Sequence, residues 1–255
     1  MKRKVNIEFF GKKINFSIRN VIRIVWISGV ITFTARMWYS YQSRNVDEVV
    51  LDSDENVSVI QKDDLIIFEP NTNIQNKTFL FLPGGLVDPK AYTPMARNIA
   101  LEGVKVIIVK MPLRLANLGY RRVLELINKE PDTQYFVGGH SQGGKMAAQL
   151  IYENPGVADG LILIGTTHPR DIDLSHLNIP VMKLAASNDG VADLDEIKFN
   201  LKNLPGNAQL KVIEGGNHSQ FGYYGNQLRD NKATISLEQQ QQSLVDNMVS
   251  FLLSD

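Results

Sequence analysis

An α/β fold with a doubly wound, mostly parallel sheet and no cap domain is predicted by three observations. Short β-branched runs recur from Val57 onward, several of them are apolar on both faces, and helical patterns fall between them. A strand apolar on both faces must be covered on both, which parallel strands with crossover helices achieve. The strands are expected at 65–68, 78–82, 104–109, 134–137, 161–164, 181–185 and 209–213, and the helices at 92–102, 118–129, 141–153, 193–203 and 236–253. Gly103 is placed to end the first helix and Asn154-Pro155-Gly156 to stop the third. Ser236 with Gln239 reads as a capping box opening the last helix, and the glutamine tract 239–242 as an exposed helical face. Only 16 residues separate Ile164 from Val181, too few for an inserted helical cap, so the site is expected to be open.

The 255 residues, 44% hydrophobic and 21% charged, are ordinary for a folded domain that needs no staples. The chain has no Cys, which excludes disulfide scaffolds, thiol nucleophiles and Cys-ligated metals. The net charge of zero is unevenly spread: residues 1–44 hold nine Lys or Arg and one acid, Glu8, leaving 18 basic against 26 acidic residues beyond them. An acidic main body argues against a nucleic-acid partner.

The sequence divides into a basic N-terminal segment (1–20), a hydrophobic segment read as a membrane anchor (21–41), an acidic linker (42–56) and the α/β domain (57–255). The apolar core of the anchor, residues 24–35, covers only about 18 Å, so it spans a membrane if Arg23 and Arg36 snorkel. Trp38, Tyr39 and Tyr41 would then form an interfacial belt, with the basic segment in the cytoplasm and the main domain outside it. A cleaved signal peptide, giving a secreted protein, and a surface arm on a cytoplasmic one are the competing readings, although Thr34-Ala35-Arg36 is a poor cleavage site.

Chemistry is concentrated in Gly138-Gly139-His140-Ser141-Gln142-Gly143-Gly144, which joins a strand to a helix. This is G-x-S-x-G in strand–turn–helix context: small residues flank a serine on a sharp turn, and the helix start offers the Gln142 amide to a developing oxyanion. A serine needs a base, itself oriented by a carboxylate. His218, in Gly215-Gly216-Asn217-His218-Ser219 after the last strand, is the candidate base. Asp189 in Asn188-Asp189-Gly190 is the candidate acid, with Asp193 and Asp195 as alternatives; His140 and His176 read as structural.

These blocks, together with Leu82-Pro83-Gly84-Gly85, Val109-Lys110-Met111-Pro112-Leu113 and Gln220-Phe221-Gly222, resemble the α/β-hydrolase superfamily, in particular its dienelactone-hydrolase-like branch, from about Thr78 to the C-terminus. Dienelactone hydrolases proper use a cysteine nucleophile where this chain has Ser141, so their substrate does not carry over. The resemblance places the second oxyanion donor in Pro83-Gly84-Gly85-Leu86, at the amide of Gly85 or Leu86.

Three further residues are candidate substrate contacts: His168 and Lys110, each after a strand, and Tyr223 in the long connection 215–235. Each has a plainer reading, as a solvated loop residue or as packing. The reading that results is a serine hydrolase of the carboxylesterase kind acting on a small-molecule acyl substrate, with no metal or cofactor implied. A non-catalytic binding protein of the same fold, and an acyltransferase or peptidase using the same three residues, remain as alternatives.

Overall fold

The chain is described here from a computed structural model, covering residues 4–9, 12–127 and 132–254. It divides into two compact units at Ser40–Tyr41. The first opens with an antiparallel pair, β1 (Lys4–Phe9) and β2 (Lys12–Ser17), registered from Lys4 opposite Ser17 to Phe9 opposite Lys12. The expected plain basic segment is therefore partly strand. Its signal is the alternation of Val5, Ile7 and Phe9 with Asn6 and Glu8, repeated at Ile14 and Phe16, which the charge count hides.

Next comes α1 (Ile18–Ser40), 23 residues with none buried. At 1.5 Å per residue it is about 35 Å long, enough to cross the roughly 30 Å of a bilayer's hydrocarbon. It outruns the 24–35 core because it continues through Arg23 and Arg36. The Thr34 hydroxyl donates to the Val30 carbonyl at 2.9 Å, so that polar group is satisfied within the helix.

The second unit is built on an eight-stranded sheet. In chain order its strands are β3 (Val57–Gln61), β4 (Leu65–Pro70), β5 (Lys77–Leu82), β6 (Lys105–Val109), β7 (Gln134–His140), β8 (Gly160–Ile164), β9 (Val181–Ala186) and β10 (Gln209–Ile213). In space they run β3-β4-β6-β5-β7-β8-β9-β10. The six from β5 to β10 are mutually parallel, while β4 pairs antiparallel with both β6 and β3. The chain reverses its direction of travel across the sheet at β5, which lies between β6 and β7. Crevices at such reversals, beyond the carboxyl ends of the strands, are where ligands bind in open α/β sheets.

On one face Leu80, Leu82, Val137, Leu161 and Leu163 are buried in one cluster with Met146, Ala147, Leu150 and Ile151 of α4 (Gln142–Glu153). On the other lie α2 (Thr93–Leu101) and α6 (Leu237–Leu252), with Phe81 against Tyr92 and Phe136 edge-on to Phe251. The Ser236–Gln239 capping box forms as expected. Of the helix expected at 118–129, residues Val123–Ile127 form a short α3, preceded by three 3-10 turns, Pro112–Arg114, Ala116–Leu118 and Tyr120–Arg122; residues 128–131 lie outside the described set. Gly119, at φ −150°, interrupts the helical run. Residues 165–180, between β8 and β9, contain no helix.

The stretch 42–56, expected as a linker, makes specific contacts with the larger unit. Tyr41 is buried and its ring stacks on Tyr224 at 6.2 Å, and the Arg44 amide donates to the Tyr223 carbonyl at 2.8 Å. Farther on, Arg97 of α2 donates to the carbonyls of Val50 and Asp52 and pairs with Asp54.

Candidate active site

Ser141 sits where β7 hands over to α4, at φ 53° and ψ −116°. A non-glycine residue at positive φ is costly and persists only where its surroundings enforce it. Here the glycines on either side do so. A Cβ on Gly139 or Gly143 would fall inside the van der Waals surface of the Leu82 carbonyl, so the turn closes against β5 only with hydrogen at both positions. The Ser141 amide donates to the Ile164 carbonyl at 2.8 Å, pinning the turn to β8. The first-turn amides of α4 have no carbonyl partner within the helix, as at any helix start.

Two loops from neighbouring strands bring the partners. Asp189 follows β9 and His218 follows β10; both side chains are fully buried, with His218 Nδ1 2.8 Å from Asp189 Oδ2. Asp189 Oδ1 accepts from the amides of Val191 (2.8 Å) and Ala192 (2.6 Å), so the carboxylate is held at both oxygens. The other ring nitrogen of His218, Nε2, is buried and has no hydrogen-bond partner among the described residues. The alternative acids are engaged elsewhere: Asp193 caps α5 (Leu194–Phe199) through the amides of Asp195 and Glu196, and Asp195 faces solvent.

The loop carrying His218 is braced by residues the motif did not single out. Asp230 accepts from the amides of Gly190 and His218, both at 3.2 Å, and from Ser219 at its amide (2.8 Å) and hydroxyl (2.6 Å). One carboxylate thus ties the Asp189 loop to the His218 loop. Gln240 exchanges two hydrogen bonds with the backbone of Asn217, and Gln241 donates to the Gln220 carbonyl. The glutamine tract expected as an exposed face therefore turns its middle two residues inward, because a loop carbonyl and amide need partners that apolar side chains cannot supply. Only the length of the 215–235 connection hinted at this bracing.

Opposite, on the loop after β5, the Leu86 amide donates to the Arg114 carbonyl at 2.7 Å. That commits the Leu86 amide, one of the two expected oxyanion donors; over the other, Gly85, the Gln142 side chain lies while accepting from the Ala116 amide. The loop is held from below: the Gly84 amide donates to the Tyr92 hydroxyl (3.1 Å), which lies 2.9 Å from His140 Nδ1. Burial, with His218 alongside, keeps the His140 imidazole well below its ordinary pKa and hence neutral.

A cleft of about 280 Å³ opens over this turn, lined by Ser141, Gln142, His218, Lys145, Thr166, His168, Arg170, Val191 and Glu196 among others. Among the described residues no cluster of three or more His, Asp or Glu side chains is placed to hold a metal ion.

A model of the "Alpha/beta hydrolase family" matches residues 78–242, about two thirds of the chain and every element of the site. The chain belongs to the alpha/beta hydrolase family. Similar solved structures agree with that fold. An alpha-beta serine hydrolase homologue from Coxiella burnetii is 15% identical, covering 77% of this chain and 99% of its own at TM-score 0.56. A predicted CIB-like hydrolase from Thermoplasma acidophilum is 14% identical, covering 76% and 98% at 0.53. An α/β serine hydrolase without lid from Xanthomonas campestris is 16% identical, covering 80% and 98% at 0.52. No curated protein matches the sequence significantly.

Of the substrate contacts expected for this alpha/beta hydrolase, His168 lines the cleft, and Lys110 and Tyr223 do not. Lys110 is drawn away because its ammonium donates to the Lys62 carbonyl at 2.5 Å. Tyr223 is taken up by backbone pairing, its amide to Ala91 and its carbonyl to Arg44. His168 is held down to about 4 by burial, reinforced by Lys145 and Arg170, and is neutral at pH 7.

One buried cation escaped the sequence reading. Lys183, in β9, is fully buried with its ammonium donating to the His168 carbonyl, and burial lowers its pKa to about 7. Between that value and the unfolded value near 10.5, the unfolded chain binds a proton that the folded one does not, so stability rises with pH across this window. Lys183→Met is expected to remove that rise. Urea midpoints of both proteins at pH 6.5, 8 and 9.5 test it: the stability difference in favour of Met should be largest at pH 6.5 and shrink as pH increases.

Proposed function

We propose that this chain is a serine hydrolase that cleaves an ester or related acyl bond. The observation that carries the reading is a buried His218, fixed through Nδ1 to Asp189 and with Nε2 unpartnered, sharing a cleft with a serine on a strained strand-to-helix turn. In this reading Nε2 takes the Ser141 proton as Oγ attacks the carbonyl carbon. The amides of Gln142 and Gly85 hold the oxyanion, and Asp189 stabilises the imidazolium. That imidazolium returns its proton to the leaving group, and a water deprotonated by His218 then releases the acyl group from Ser141. Activity of the carboxylesterase kind fits an open site with no helix between β8 and β9. The likeness to the dienelactone-hydrolase-like branch supports small acyl substrates without naming one.

In the same reading α1 anchors the protein, the basic segment before it stays in the cytoplasm, and the hydrolase domain lies outside. Its length and its lack of any buried residue support a span. The test of the function is a fluorophosphonate probe on the full chain in detergent, followed by peptide mapping. A single adduct on Ser141 is expected. A folded protein that leaves Ser141 unlabelled and turns over no p-nitrophenyl ester from acetate to octanoate would be a binding protein of this fold.

A further inference from the structure

The cleft over Ser141 is lined by charge where a pocket for a long acyl chain would need hydrocarbon; Val191 and Ala192 are its only aliphatic side chains apart from the stems of polar residues. Lys145 stands one helical turn along α4 from Ser141, and its amide bonds the Ser141 carbonyl at 3.0 Å. Its ammonium forms no ion pair among the described residues. Arg170 pairs with Glu196 at 3.2 Å, but both side chains are close to half exposed. Pairs of that kind are weak, so the guanidinium can exchange Glu196 for a ligand at little cost. His168 is neutral at pH 7 and adds nothing to the balance. The cleft therefore presents two cations against one carboxylate, which pairs with Arg170 and leaves the Lys145 charge unbalanced.

We infer that the substrate carries an anionic group, a carboxylate or a phosphate, a few bonds from the scissile carbonyl, received by Lys145 and Arg170 while the carbonyl lies at Ser141. The inference rests on the serine-hydrolase reading and narrows its substrate class to short, anionic acyl compounds. An uncharged substrate would leave the Lys145 ammonium with water alone, whereas an anionic one gains a charge-assisted contact in a partly desolvated cleft.

The experiment compares matched esters on the full chain in detergent. p-Nitrophenyl hydrogen glutarate against p-nitrophenyl valerate puts the charge on the acyl side; 4-(acetoxymethyl)benzoate against benzyl acetate puts it on the alcohol side. In one of the two pairs the charged member is expected to have a kcat/KM about tenfold higher or more, the factor that a single good ionic contact supplies. That ratio should fall toward one in Lys145→Gln and below one in Lys145→Glu. Because each protein serves as its own reference, partial misfolding cannot imitate the inversion. Glutarate and inorganic phosphate, tested as protectants of Ser141 against a neutral fluorophosphonate, tell a carboxylate from a phosphate as the preferred anion. Turnover or labelling without a charge preference in either pair, a preference that survives Lys145→Glu, or protection by neither anion overturns the inference and leaves the hydrolase reading standing. No turnover and no labelling overturns both.

Discussion

Ser141→Ala is expected to lower kcat on p-nitrophenyl acetate by about a million-fold, to the level set by binding and oxyanion donors alone. The substitution deletes one hydroxyl, and alanine meets the same φ of 53° that serine does, so the turn gains no new strain. The helix-start amides and Gly85 remain to polarise a bound carbonyl, which is why some rate above water should persist. His218→Ala is expected to cost about as much, because a serine without its base is as ineffective as a base without its serine. The decisive comparison is the double variant. If the two residues act as one unit, Ser141→Ala/His218→Ala turns over no more slowly than either single variant, whereas independent contributions would multiply. Esterase rates on all three proteins, with circular dichroism to establish folding, provide the test. A Ser141→Ala protein that retains a tenth of the activity would move the chemistry to another group.

That Ser141, Asp189 and His218 could be singled out from sequence has a local cause. Each lies within five residues of the carboxyl end of a parallel strand, and strands apolar on both faces are the most legible elements in a chain. The same periodicity located β5 to β10 within a few residues. What it did not supply was anything decided by a backbone group seeking a partner. Leu86 and Gly85 are neighbours in one turn, and only the Arg114 carbonyl, brought in by left-handed residues at Leu113 and Arg114, tells their amides apart. Lys110 ends a strand on the active side, but the Lys62 carbonyl captures it. Asp230 and Gln240 brace His218 from positions 12 and 22 residues beyond it, a distance over which no motif is readable. The β1–β2 pair was obscured by the charged residues interleaved with its apolar ones, and the edge strand β3 by its shortness, five residues with Ser58 and Gln61 among them.

Asp189→Asn separates orientation from charge, and about a 10⁴-fold loss in kcat is expected at neutral pH. Asp189 Oδ1 is already committed to two amides, those of Val191 and Ala192. An asparagine at this position must keep its carbonyl oxygen there, since its amide nitrogen cannot accept, and this places Nδ2 against His218 Nδ1. The amide donates, so Nδ1 must accept. The ring proton then moves to Nε2, where it blocks the nitrogen that would receive the Ser141 proton. The fold should survive, because all three hydrogen bonds are retained with one reversed in direction. Asp189→Ala loses them all, so it should cost stability as well as activity. The measurement is kcat on p-nitrophenyl acetate from pH 6 to 10 alongside the urea midpoint. A near-native midpoint with kcat depressed by about four orders of magnitude at pH 7 is the expected signature of a wrong tautomer. Equal losses of stability and activity in Asn and Ala variants would instead assign Asp189 to holding the loop.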